Sequence, residues 1–164
     1  MTTTYCTVAA PIAMIFRVND DIVSRALEGL TTSELSHRPT DKNNPVLWLA
    51  GHVAETRATL LRVLGEPFDT TWGNLFVRGA TLQEPAGYPS VEEIKRILVK
   101  INAKLYATLE GLDDVRLAQP AQGFEMPNAK TVADQIAFFA LHDSYHVGQM
   151  GYVRKGLGYS RLVG

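Results

Sequence analysis

Four histidines occur in the chain: His37, His52, His142 and His146. His142 and His146 stand four residues apart in the run Leu141-His142-Asp143-Ser144-Tyr145-His146-Val147-Gly148-Gln149. On a helix, that spacing sets both rings on one face, one turn apart. A step of about 100° per residue adds Gln135, Phe139, Gln149 and Val153 to the same face, the stripe that should turn toward a core. Two neutral imidazoles placed this way can both reach one transition metal at about 2.0–2.1 Å. Two ligands rarely suffice, and His52 is the natural third donor. It lies three residues after Leu49 and four before Thr56, at the edge of the apolar stripe of another helix. Metal sites in helical bundles are built from inward side chains on facing helices. Three histidines would leave a coordination position open for water or substrate, which is a catalytic pattern rather than the closed four-ligand pattern of structural zinc.

Two competing readings bear on the same residues. An inward histidine is often a hydrogen-bonded core residue, and a His-x-x-x-His pair alone occurs on many helices. Against that, three of only four histidines fall on inward stripes. His142-Asp143-x-x-His146 also resembles the H-E-x-x-H of zinc peptidases. The Asp side chain is too short to put its carboxylate where that Glu acts. No Asp, Glu or His follows His146 either, so a third ligand must come from upstream. His37, beside Arg38-Pro39 in a polar loop, is not counted as a ligand.

Four further positions are candidate catalytic residues, each with a plainer alternative. Glu55, three after His52, is placed to serve as a base or hydrogen-bond partner near the metal mouth, or to pair in solvent with an arginine. Asp143 points about 80° away from the histidine stripe; it could orient an imidazole from a neighbouring helix or lie exposed. Gln149 shares the histidine face and acts there on a ligand or bridges two helices. Tyr145 is either a proton donor or a residue packed between helices with its hydroxyl at the rim. Trp48, Trp72 and Phe76 could line a substrate pocket, with Arg78 meeting an anionic group, or serve as core and loop anchors.

Four segments with helical periodicity position these residues, and none shows strand alternation. The first runs from Pro11 to Leu30 with Ile12, Ile15, Phe16, Asn19, Ile22, Val23, Ala26, Leu27 and Leu30 on its stripe. Gly29 and Thr31-Thr32-Ser33 close it, and Thr31 with Glu34 has the capping-box spacing of a short further helical turn. The second begins with Asn44 as cap and Pro45 in the first turn, and ends at Leu64 before Gly65 and Pro67. The third spans Ser90 to Leu112, with Ser90 and Glu93 as a capping box and a seam of Val91, Ile94, Leu98, Ile101 and Leu105. The fourth spans Thr131 to Gly156, with Thr131 and Asp134 as cap and Arg154-Lys155 in the last turn, where the helix dipole favours cations. The expected fold is all-α, a four-helix bundle of the up-and-down type forming one domain over 1–164. Segments 65–89 and 113–130 are long connections. Their aromatic and apolar residues, among them Phe68, Trp72, Phe76, Phe124 and Met126, predict ordered loops packed over the bundle.

Composition narrows the function classes. The chain has 164 residues, 46% of them hydrophobic and 20% charged, enough for a core without disulfides. Lys and Arg number 16 against 17 Asp and Glu, so there is no basic surplus of the kind that neutralises nucleic-acid phosphates. The single cysteine, Cys6, precludes an internal disulfide and fits a reducing cytoplasm. No apolar run approaches the ~20 residues of a membrane span. Val8 to Phe16 lacks the preceding basic residue of a signal peptide. These features predict a cytoplasmic protein acting on neither membrane nor nucleic acid.

Leu141-His142-Asp143-Ser144-Tyr145-His146-Val147-Gly148-Gln149-Met150, followed by Arg154-Lys155-Gly156-Leu157-Gly158, resembles the C-terminal signature of the DinB/YfiT-like superfamily. Trp48-Leu49-Ala50-Gly51-His52-Val53-Ala54 resembles its second-helix motif, and Leu30-Thr31-Thr32-Ser33-Glu34-Leu35 fits its early turn. The resemblance spans nearly the whole chain. It implies a bundle of variant handedness, often homodimeric, and a divalent metal, commonly nickel or zinc, on residues matching His52, His142 and His146. Relatives of known activity are thiol-dependent enzymes, including transferases of low-molecular-weight thiols to electrophiles and a mycothiol-dependent maleylpyruvate isomerase. The resemblance therefore makes a metal-dependent thiol S-transferase acting on a small molecule the leading expectation. The alternatives are a metal-dependent hydrolase, a non-catalytic metal-binding or stress-related bundle, and an interaction module with core histidines.

Overall fold

A computed structural model of the chain describes residues 8–123, 126 and 128–163. Cys6 and Phe124 lie outside the described residues. The described chain is helical, with no strand, and holds α1 (Ala9–Leu27), α2 (Thr32–Leu35), α3 (Val46–Val63), α4 (Val91–Glu110), α5 (Asp114–Leu117) and α6 (Val132–Gly156). A 3₁₀ turn at Pro85–Gly87 interrupts the long connection before α4. α1, α3, α4 and α6 are the four bundle helices, and the short α2 and α5 lie in the connections.

Local chemistry sets most of the helix ends. Thr131 and Asp134 form a complete capping box on α6, and Thr31 and Glu34 do the same for α2. Gly65, at φ +89°, takes the left-handed conformation that stops α3. Three expectations shift. Pro45 rather than Asn44 is the cap of α3: its extended backbone starts the helix one residue later, and no side chain caps it. At α4 only half of the box forms. Ser90 accepts from the Glu93 amide, while the Glu93 carboxylate receives the Trp72 Nε1–H at 3.5 Å. In α1, Ile15 stands outside the buried stripe, which runs through Ala9, Ala13, Phe16, Asn19, Ile22, Val23 and Ala26.

Round the bundle the order is α1, α6, α3, α4. α6 packs on both α1 and α3, α3 packs on α4, and α4 closes against α1. The successive helices α1 and α3 are therefore not principal neighbours, nor are α4 and α6, and the connections between them have to bridge that separation. The connection from α3 to α4 joins direct neighbours, so chain path does not require its length. It folds over α3 instead. Trp48 Nε1 donates to the Leu75 carbonyl at 3.2 Å, and the Phe76 ring covers Gly51. Glycine is required there because a Cβ would collide with that ring. This cover explains why every residue of α3 from Val46 to Ala54 is buried. Trp72, Phe76 and Met126 are buried loop anchors, as expected of ordered loops.

Two interactions tie the elements together. Arg154, expected to serve the dipole of its own helix, reaches across to the end of α1, where its Nη1 donates to the carbonyls of Ala26 (3.1 Å) and Glu28 (2.6 Å). At mid-bundle lies a buried polar network. Arg57 of α3 binds Asp143 of α6 in a bidentate pair (3.2 and 2.7 Å) and also binds Asp20 of α1 and Asn102 of α4. Asn19 donates to Asp143 (3.0 Å) and to Ser144 (2.9 Å), and the Tyr106 hydroxyl donates to Asp20. All four bundle helices contribute to it. Among the described residues, no helix is long and apolar enough to cross a membrane.

Candidate metal centre

α6 carries His142 and His146 on consecutive turns, and their Nε2 atoms lie 3.2 Å apart. α3 brings His52 against both, with ring centroids 5.2 Å from His142 and 4.6 Å from His146. One ligand atom from each of the three rings falls within 4.8 Å of the others. Two nitrogens held at about 2.0–2.1 Å from a shared tetrahedral ion are about 3.3 Å apart, close to the His142–His146 separation.

The partners of the outer nitrogens fix the direction of the inner ones. His52 Nδ1 lies 2.5 Å from the Phe76 carbonyl oxygen, which can only accept, so Nδ1 carries the hydrogen and Nε2 keeps a lone pair. His146 Nδ1 pairs in the same way with Gln149 Oε1 at 2.7 Å. Trp48 stacks on the His52 ring, with centroids 4.7 Å apart and 14° between planes. Nδ1 of His142 is buried without a hydrogen-bond partner. The donor set fits a divalent cation: the Nε2 lone pairs of His52 and His146 turn inward beside His142, whose ring keeps one buried nitrogen without a partner.

Electrostatics keeps these rings in ligand form. Burial lowers the pKa of His52, helped by the neighbouring His146. Burial lowers that of His146 as well. Burial, with His146 and His52 close by, takes His142 down to about 4. All three are neutral at pH 7, as metal ligation needs.

Beside the histidines opens a cavity of about 460 Å³. His52, His142, Glu55 and Arg78 line it together with the apolar Phe138, Phe139 and Met126. Glu55 Oε1 accepts from the Thr70 hydroxyl, and burial raises its pKa from the ordinary value.

The other candidates are placed as follows. Gln149 holds His146. Asp143 is buried but turned away from the imidazoles into the Arg57 network, so it is neither exposed nor an orienter of a ligand ring. Tyr145 is 62% exposed, with its ring edge-on to His146 at 5.1 Å. His37 is exposed and stands outside the cluster. Trp48, Trp72 and Phe76 do not line the cavity; Phe138, Phe139 and Met126 form its apolar wall. Sequence reasoning missed Arg57, although its place on the stripe between Val53 and Leu60 marked it as a charged residue turned inward. It also missed Thr70 and the Phe76 carbonyl, for which no sequence signal exists.

Comparison with known proteins agrees with this geometry. No curated protein matches the chain. Among solved structures, YfiT from Bacillus subtilis is similar, with a TM-score of 0.64 and 19% identity over 93% of this chain and 89% of that one. It is described as "a probable metal-dependent hydrolase with an unusual four-helix bundle topology". At that identity the likeness establishes the shared bundle fold. The DinB superfamily pattern matches residues 16–150, a span that includes all three clustered histidines, and the chain belongs to the DinB superfamily.

Proposed function

We propose that this protein is a divalent-metal-dependent enzyme acting on a small molecule, with nickel or zinc held by His52, His142 and His146. The observation that carries the reading is the convergence of three histidine rings beside a cavity, with the Nε2 lone pairs of His52 and His146 fixed from behind by Phe76 and Gln149. A divalent cation in that position would lower the proton affinity of a water or thiol and stabilise negative charge on a reacting oxygen. Hydrolysis is the reading best supported. Glu55 lies on the same cavity wall, and burial raises its pKa, which makes its carboxylate the stronger proton acceptor. Its Oε2 is the atom to receive a proton, since Oε1 is engaged by Thr70. The description of YfiT supports the same class.

Transfer of a low-molecular-weight thiol is the second reading. It is supported by an all-imidazole donor set, which leaves the cation's full charge available to hold a thiolate, and by the apolar wall of Phe138 and Phe139. A homodimer is part of the proposal, supported by exposed apolar residues on the adjoining helices α1 (Met14, Ile15, Val18) and α6 (Leu141, Tyr145, Tyr152). A reducing cytoplasm is the setting that suits a single cysteine.

The test is elemental analysis of protein purified without a histidine tag, followed by zinc titration and two screens. One screen follows hydrolysis of small esters and amides, and the other follows consumption of small thiols by electrophiles. One metal per chain is expected. Glu55→Gln should keep the metal and lower kcat in the hydrolytic screen by about 10²–10⁴-fold. Protein that neither carries metal nor takes up zinc would overturn the reading.

A further inference from the structure

Arg78 stands on the rim of the histidine cavity, exposed to solvent, and no hydrogen bond or ion pair to it occurs among the described residues. A guanidinium normally finds a carboxylate or carbonyl where one is near. Glu55, on the same cavity wall, is engaged by Thr70 instead. The position of Arg78 is set by the backbone just before it. The Leu75 carbonyl is held by Trp48 and the Phe76 carbonyl by His52, so the strap that orients a metal ligand also sets down Arg78 two residues later. Below the rim, Phe138, Phe139, Met126 and Val77 supply an apolar wall. The cavity, at about 460 Å³, is of the size that encloses small molecules, about 300–1,000 Å³.

We infer that Arg78 is the specificity-determining residue of this site and that it selects substrates bearing a carboxylate on a small apolar body. The carboxylate meets the guanidinium fork at the rim, the apolar body lies along the phenylalanines, and the reactive end points to the histidines. The two-pronged guanidinium fork matches a single carboxylate in geometry, and its one positive charge matches the carboxylate's one negative charge. The inference rests on the metal-enzyme reading for the direction of the reactive end, but the Arg78 contact itself needs no cation.

The test compares 3-phenylpropionate with the neutral 3-phenylpropionamide by titration calorimetry, in chelator-treated and in zinc-loaded protein. Wild type should prefer the acid about tenfold in both states. Arg78→Gln should abolish the preference without weakening the amide, Arg78→Lys should keep part of it, and 0.5 M salt should shrink it. The inference is overturned if acid and amide bind the metal-free protein equally, if neither binds, or if the preference survives in Arg78→Gln. A preference that arises only on zinc loading puts the carboxylate on the cation: it sinks the role of Arg78 and leaves the metal centre standing. Failure to bind zinc with the Arg78-dependent preference intact does the reverse.

Discussion

Two polar clusters are buried in this bundle, and α6 contributes neighbouring residues to each. Asp143 and Ser144 join the Arg57 network, while His142 and His146 join His52. In the first cluster the groups have opposite needs. The guanidinium offers donors, Asp143, Asp20 and Asn102 supply acceptors, and Asn19 and Tyr106 occupy further oxygens. In the second, His52 and His146 both turn an Nε2 lone pair inward, and His142 is left with its Nδ1 buried and unpartnered. The first cluster satisfies its own polar groups, whereas the second leaves one nitrogen without a partner and has the spacing to hold a metal ion. Burial alone, or polarity alone, would not have separated the two.

The sharpest way to break that contrast is Arg57→Met. It leaves Asp143 and Asp20 buried without their cation and should cost about 3–5 kcal/mol, read as a lower urea midpoint by circular dichroism. If it costs less than 1 kcal/mol, the network is not what holds the helices in register. His142→Leu should act in the opposite way. Zinc affinity falls on the order of 100-fold or more, beyond the ~10–100-fold typical of losing an outer partner. The metal-free fold keeps its stability within about 1 kcal/mol, because a desolvated imidazole has been replaced by an apolar side chain.

The smallest effect is on pH dependence. The three imidazoles have folded pKa values below the ordinary 6.5, that of His142 at about 4. As pH falls, the unfolded chain takes up their protons first. Their contribution is therefore intact above about 6.5 and is lost progressively between about 6.5 and 4. Asp20 and Glu55, both raised by burial, work in the opposite sense at lower pH, so the histidine part is best read as the difference between wild type and His142→Leu. Metal-free wild type should lose stability relative to that variant from pH 7 to pH 5. Parallel curves would mean that the rings are not desolvated.

Much of this was legible in the sequence wherever the signal was local. Thr131 with Asp134, Thr31 with Glu34, and Gly65 mark helix ends because capping chemistry acts within a few residues. The His142–His146 pair was legible because a helix repeats every turn. What escaped was non-local. The order of helices round the bundle depends on packing of whole faces. The Phe76 carbonyl that holds His52 is a backbone atom common to every residue type. Arg57 was visible as a charge on an apolar stripe, but its counter-ions come from helices far away in the chain, and Asp143 shows its role only once Arg57 is beside it.

The segment across α3 holds Trp48 and His52 through the main-chain oxygens of Leu75 and Phe76, and lines the cavity with the side chains that follow, Val77 and Arg78. Support of His52 and the lining of the cavity are thus written in separate alphabets along four consecutive positions. An engineer, or natural drift, can change the cavity lining at the last two while the carbonyl that steadies the His52 imidazole is left untouched.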